Sequence, residues 1–73
     1  MKTIIKLQTK GGRYAIDLTH NDNGYTIRTY EHGDIRSSGY IGNINEAEAL
    51  EEFNRNVSDA KYFDGINYSV KVI

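Results

Sequence analysis

The first part of the chain alternates between apolar and polar residues with the period of two that is typical of β-strands. Four segments show this pattern, at positions 3–8, 13–19, 25–31 and 34–41. In the second of them, Tyr14, Ile16 and Leu18 share one side of the segment. Short stretches rich in Gly, Asn and Asp separate the segments, and connections this short join neighbouring antiparallel strands. The pattern therefore predicts a four-stranded antiparallel meander.

The spacing of apolar residues changes after position 45. Asn45 and Glu48 have the spacing of a capping box, in which each side chain binds the other residue's backbone N–H. The residues that follow recur at helical spacing and predict a helix over about 46–58, with room for one more turn to Lys61. Its inward stripe is predicted to contain Ala47, Leu50, Phe53, Asn54 and Val57. On the outer side, Glu51 and Arg55 form an i,i+4 pair.

The last segment, 66–73, alternates again and predicts a fifth strand. The element order is therefore β-β-β-β-α-β. One amphipathic helix covers only one face of a five-stranded sheet. The last strand runs antiparallel to the first and fits beside it, which gives the strand order 5-1-2-3-4. We expect a single α+β domain over residues 1–73, with a five-stranded antiparallel sheet and one helix packed on one face.

Composition excludes several kinds of chemistry. The chain has 73 residues and no Cys, Pro or Trp. Without Cys, a disulfide, a thiolate zinc site and a Cys nucleophile are impossible. The first apolar stretch stops at Ile5, so it lacks the apolar region of a signal peptide, and no apolar run is long enough to span a membrane. We expect a cytoplasmic protein without membrane contact.

The residues that usually carry catalysis or bind metals are sparse and scattered. His20 and His32 lie beside turns, and no His-x-x-x-His or similar spacing accompanies them. No Ser lies in a Gly-x-Ser-x-Gly context, and no glycine-rich loop leads into a helix that could bind phosphate. We predict no catalytic residue, no metal ligand and no cofactor, and a protein that is not an enzyme.

The formal net charge is −1, which is neither the basic footprint of a nucleic-acid binder nor a strongly negative field. The charges are unevenly spread. Residues 1–45 hold six basic and four acidic residues, and residues 46–73 hold three basic and six acidic ones. Ordinary surface charge explains this split, and so does a molecule with one basic and one acidic side.

The sheet face without a helix should be wet and carry long polar side chains. Its predicted partner-binding residues are Arg13, Arg28, Tyr30, Arg36 and Tyr40. Arg and Tyr are enriched at binding hot spots, because each combines a large contact area with a polar end. A plain solvated sheet face would also hold such residues. The open face is therefore the first candidate site for a protein partner.

Three alternatives remain open. Glu48, Glu51 and Glu52 form an acidic helix face that could meet a basic partner, or simply complement the helix dipole. Aromatic and basic residues on an open sheet are also how one RNA-binding module stacks bases, although its dense aromatic motif is absent here. Finally, Gly39 predicts a bulge or an edge in segment 34–41, and an edge strand could pair with a second copy.

The layout as a whole carries one family resemblance. It lies in the small size, the short N-terminal hairpins, the turn at Glu31-His32-Gly33, and the strand followed by a capped acidic helix over 42–53. In these features the chain resembles the small inhibitors of bacterial immunity encoded by phages and mobile elements, in particular anti-CRISPR proteins. These inhibitors share no common motif, so the resemblance assigns no residue a role. It implies stoichiometric binding to a CRISPR–Cas effector, which blocks access to nucleic acid or the nuclease step.

Overall fold

A computed structural model describes residues 1–73. Its elements are β1 (Lys2–Gln8), β2 (Tyr14–Asn21), β3 (Gly24–Glu31), β4 (Asp34–Gly42), the helix α1 (Glu46–Asp59), a π-helical turn (Ala60–Asp64) and β5 (Val70–Lys71). The strands form one antiparallel sheet in the order β4-β3-β2-β1-β5. The predicted α+β class and strand order are confirmed.

Two tight turns fix the register of the central strands. Asn21 lies opposite Gly24, so only two residues connect β2 to β3. Another two-residue turn, formed by His32 and Gly33 with φ of 52° and 84°, connects β3 to β4. Two positive φ values in succession give a turn whose twist matches that of the strands, and Gly33 adopts such a φ without strain.

The hydrophobic core lies between α1 and the middle of the sheet. It contains Ile16, Leu18, Tyr25, Ile27, Ala49, Phe53, Ile66 and Tyr68. The helix contributes Ala49 and Phe53, both fully buried, whereas Ala47 and Asn54 are exposed. The predicted stripe was therefore wrong at these two positions. The other three predicted residues are correct, because Phe53 is in the core and Leu50 and Val57 pack against it.

The helix begins as predicted. Asn45 Oδ1 accepts a hydrogen bond from the backbone of Glu48 at 2.9 Å, and Glu48 Oε1 accepts one from the backbone of Asn45 at 3.2 Å. Arg55 pairs with Glu52 at 2.7 Å, and not with Glu51 as predicted. The π-helical turn extends the helix past its predicted end, and Gly65 closes it at φ 67°. No helix is long and apolar enough to cross a membrane.

The predicted strand over 66–73 is mostly wrong, because only Val70–Lys71 is regular strand. Ile66 and Tyr68 lie outside the sheet, and their side chains are buried in the core. Next to them, the N–H of Ser69 donates to the carbonyl of Asn67 at 3.0 Å, a tight turn that interrupts extended backbone. The alternation of the segment thus reflects burial against the helix side and only in part pairing with β1.

A bulge in β4 changes which face its side chains point to. Thr29 lies opposite Ser37, but Tyr30 lies opposite Ile35, so Arg36 is an extra residue in β4. Gly39 was predicted to mark a bulge or an edge strand. It does lie in the edge strand, but the bulge is three residues earlier. Beyond the bulge the alternation shifts by one residue, because the side-chain period of a strand is two.

Candidate partner-binding face

The face of the sheet opposite α1 is not covered by another element. Residues directly opposite each other in neighbouring strands point to the same face. The register therefore arranges this open face in three rows, Thr3-Thr19-Thr26-Tyr40, Lys6-Asp17-Arg28-Ser38 and Gln8-Ala15-Tyr30-Ile35. The face is mixed in character, with a charged row between two largely uncharged rows. Its β2 residues, Ala15, Asp17 and Thr19, are buried, so the centre of the face is not wet as predicted.

Asp17 lies at the centre of this face and is only 5% exposed. The hydroxyl of Tyr30 donates to Asp17 Oδ2 at 2.7 Å. Arg28 Nε lies 3.7 Å from Asp17 Oδ1, close enough for an ion pair but without a hydrogen bond. A buried carboxylate costs free energy unless it is compensated. Tyr30 compensates Oδ2 with a hydrogen bond, whereas Oδ1 has only the nearby charge of Arg28.

Further contacts hold the same cluster from its flanks. The ammonium group of Lys6 lies 5.3 Å from the centre of the Tyr30 ring, within range of a cation–π interaction. Arg28 Nη2 lies 3.0 Å from the sulfur of Met1. We call Lys6, Asp17, Arg28 and Tyr30 the charged cluster. It has two positive charges and one negative charge, and each of its side chains contacts another member of the cluster.

Tyr40 is fixed to the rim of the open face. Its hydroxyl donates to the carbonyl of Asn23 at 2.9 Å. A Cβ on Gly24 would lie only 2.7 Å from the same hydroxyl, so the tyrosine packs directly on the glycine backbone. The rest of Tyr40 is 59% exposed, as is Ile35 on the same strand. These two residues add exposed apolar surface beside the charged cluster.

The structure separates two of the predicted site residues from the open face. Arg13 precedes β2, and its Cζ lies 5.0 Å from the centre of the Tyr14 ring. The bulge directs Arg36 to the same ring, at 5.2 Å. Tyr14 packs against the core on the helix side. Of the five predicted residues, Arg28, Tyr30 and Tyr40 share the open face, and the two arginines do not.

Arg13 and Arg36 also share one carboxylate. Glu31 lies 3.0 Å from Arg13 Nη2 and 3.6 Å from Arg36 Nε. The hydrogen bond from Arg13 lowers the pKa of Glu31, and the same bond raises the pKa of Arg13. Because the pKa of Glu31 is lowered in the folded state, the stability that this pair contributes is lost as the pH falls through that pKa.

The acidic helix face is less available than its sequence suggests. Glu48 is part of the capping box, and Glu52 is paired with Arg55. Glu51 is exposed and has neither a hydrogen bond nor an ion pair through its side chain. The face therefore offers one free carboxylate, because the other two already have partners within the helix.

The two histidines have separate surroundings. The His20 ring stacks on Tyr25 with 4.7 Å between ring centres. His32 lies in the turn between β3 and β4. No group of three or more His, Asp or Glu side chains is placed to hold a metal ion.

The environment of Tyr30 predicts a measurable effect of alkaline pH. Burial and the hydrogen bond to Asp17 raise the pKa of Tyr30 above its ordinary value of 10.0. Since the folded state holds this proton more tightly, its contribution to stability is lost as the pH rises through the raised pKa. Tyrosinate absorbance should therefore show a late-titrating phase, to which Tyr68, with a pKa raised by burial, also contributes.

Two variants assign that phase. Tyr30→Phe should remove part of the late tyrosinate absorbance. Tyr62→Phe, at a ring that is 83% exposed, serves as the matched control and should leave the late phase intact. If Tyr30→Phe instead lost absorbance from the ordinary phase near pH 10 and kept the late phase whole, the buried hydrogen bond would be contradicted.

Sequence reasoning missed two members of this face. Neither Asp17 nor Ile35 was among the residues predicted for it. The position of Asp17 could have been predicted from the two-residue turn between Asn21 and Gly24, because counting back from that turn sets Asp17 opposite Arg28. Nothing in the sequence indicates the bulge at Arg36, and therefore nothing indicates the outward position of Ile35.

Comparison with known proteins adds no relative. No protein-family description matches the chain, and neither the curated proteins nor the solved structures give a significant match.

Proposed function

We propose that this protein is a non-enzymatic protein-binding module that docks a partner on its open sheet face. The docking surface consists of Lys6, Arg28, Tyr30, Ile35 and Tyr40, which we call the open-face patch. The observation that carries the proposal is the fixed charged cluster around buried Asp17, on a face that no other element covers. Side chains that are already ordered lose little entropy on binding.

A protein suits this patch better than a nucleic acid. Asp17 offsets one of the two positive charges in the cluster, so little attraction for phosphates remains. The Tyr30 ring already has the Lys6 ammonium over it, and the Tyr40 ring lies against Gly24. Neither ring is free on both sides to stack bases. An uncharged aromatic and aliphatic surface beside one surplus positive charge fits a protein surface that carries a carboxylate.

The class of partner follows from the resemblance in layout to anti-CRISPR proteins. On that basis we propose a CRISPR–Cas effector subunit as the partner and stoichiometric inhibition as the outcome. The protein would then be encoded by a phage or mobile element. The open-face patch would hold the effector and block its nucleic-acid path or its nuclease step.

The test must spare the residues that hold Asp17. Exchanging Arg28 or Tyr30 would disturb the fold as well as the surface, because both compensate the buried carboxylate. Ile35→Glu with Ser38→Glu is a cleaner variant, since both side chains are exposed on the same face. The matched control is Asn54→Glu with Ser58→Glu, which adds the same charge to exposed helix positions.

Affinity capture from the native host with mass spectrometry gives the readout. The open-face variant should lose the captured protein at unchanged thermal stability, and the helix control should retain it. Equal capture by both variants would rule out the open face. A loss confined to Glu51→Lys with Glu52→Lys would instead favour the acidic helix face. Capture of oligonucleotides, with affinity that falls steeply as salt rises, would favour a nucleic-acid-binding accessory protein.

A further inference from the structure

A groove separates α1 from the edge strand β4 on the helix side of the sheet. The helix packs over β2, and most of β4 remains exposed beside it. Two adjoining cavities of about 320 and 350 Å³ fill this space and share Thr29, Ser37 and Asn56 in their linings. Ile27 and Ile41 line one end, and Phe63 and Tyr68 line the other. The groove is therefore elongated, runs along β4 and has apolar residues at both ends.

Gly39 leaves an open space on the floor of the groove, because it has no side chain. This glycine lies opposite Ile27 in regular strand, so its missing side chain would point into the groove. Its φ is not positive, and a Cβ added to it would meet no atom within 4 Å. Neither backbone conformation nor packing within the chain requires glycine there. A glycine inside a strand often marks a place where a ligand or another backbone approaches closely, and the open space at Gly39 would admit one.

The strand beside the groove has an unpaired edge. β4 is the last strand of the sheet, nine residues long, and its outer backbone groups have no strand partner. Protein edge strands are usually protected by lysines, prolines or inward-pointing charges. From Ser37 to Gly42 the strand carries no charged residue. Six regular residues are thus available to bind an extended chain.

The charges of the groove wall indicate the chemistry of that chain. Arg36, Asp59 and Asp64 all line the cavity at the Phe63 end; Arg36 is paired with Glu31, whereas neither aspartate forms an ion pair. Phe63 and Tyr62 lie at this end, 74% and 83% exposed, with their rings 4.9 Å apart. Exposed aromatics next to unpaired carboxylates fit a basic side chain, which can bind both.

We propose that this groove accepts an extended segment of a partner protein as a sixth strand beside β4. The segment places apolar side chains at alternate positions over Gly39 and Ile41, and a Lys or Arg beside Asp59 and Asp64. Backbone hydrogen bonds to β4 supply affinity, and the two ends of the groove supply specificity. The site lies on the opposite side of the sheet from the open-face patch, so it does not depend on the function proposed above.

A second copy of this chain fits the edge less well. Two β4 strands paired about Ser38 would set Ser37 of one copy opposite Gly39 of the other, and such small residues would leave the groove unfilled. The bulge at Arg36 would also interrupt a symmetric pairing. Self-association is therefore an outcome that the test must detect.

Gly39→Val provides the decisive variant. Valine has a higher strand propensity than glycine and would meet open space, so the thermal midpoint should not fall. Its side chain would nevertheless occupy the floor of the groove. Ser38→Val is the matched control, because it places the same side chain on the open face of the same strand. Light scattering of all three proteins establishes whether they are monomers.

The probe is a library of random ten-residue peptides displayed on phage and panned against the wild-type protein. The selected peptides should carry apolar residues at alternate positions and a Lys or Arg near one end. Gly39→Val should weaken their affinity by about tenfold or more, and Ser38→Val by less than about threefold. Bound peptide should protect the β4 amides from hydrogen exchange. Failure to select any peptide, equal binding to Gly39→Val, protection elsewhere, or a wild-type dimer abolished by Gly39→Val would each overturn the proposal.

Discussion

Replacing Phe53 with alanine is expected to lower the free energy of unfolding by about 3–5 kcal/mol, the usual cost of emptying a fully buried aromatic site. Phe53 is 0% exposed and is the largest of the fully buried side chains. A 73-residue domain typically has only roughly 4–11 kcal/mol of stability. The variant should therefore lose a large part of its stability, which urea denaturation followed by circular dichroism will measure.

The chain offers a matched control, because it contains only one other phenylalanine. Phe63 is 74% exposed, so Phe63→Ala should change the free energy of unfolding by no more than about 0.5 kcal/mol. Similar losses in the two variants would contradict the described core. The control also tests the groove, since Phe63→Ala should weaken the binding of the selected peptides without affecting the fold.

Asp17→Ala is expected to cost about 2–4 kcal/mol, since it leaves Arg28 and the Tyr30 hydroxyl without their buried partner. Arg28 retains 22% exposure of its side chain, so water recovers part of its loss. Asp17→Asn should cost less, because the amide oxygen still accepts the hydrogen bond from Tyr30. Urea denaturation of both variants checks this order.

A double-mutant cycle isolates the hydrogen bond itself. Asp17→Ala and Tyr30→Phe should be non-additive, with a coupling of about 0.5–3 kcal/mol. Additive effects would mean that the two side chains do not interact. Loss of the cluster should also weaken partner capture, because Arg28 and Tyr30 would no longer be held in place before binding.

Local signals predicted the helix start and the strand order. Asn45 and Glu48 set the start of α1, since a capping box depends only on neighbouring residues. The short turns set the meander for the same reason. The last segment was harder. Its alternation fits a strand, but Ile66 and Tyr68 are buried in the core, and backbone hydrogen bonds to β1 are confined to the last four residues.

The candidate site was only partly predictable, because it depends on register. Arg28, Tyr30 and Tyr40 alternate in undisturbed strand and share the face expected of them. Arg36 occupies a bulge, and this extra residue places Ile35, before it, on the same face as Ser38 and Tyr40, after it. The burial of Asp17 depends on side chains from neighbouring strands, which no local pattern contains.

Hydroxyl-radical footprinting of the purified complex with its captured partner tests the central proposal most directly. The two candidate surfaces carry exposed aromatic or apolar residues on opposite sides of the molecule, Ile35 and Tyr40 on the open face and Tyr62 and Phe63 beside the groove. The proposal predicts that the partner protects Ile35 and Tyr40 from oxidation. Protection confined to Tyr62 and Phe63, or absent from Ile35 and Tyr40, would contradict docking on the open face.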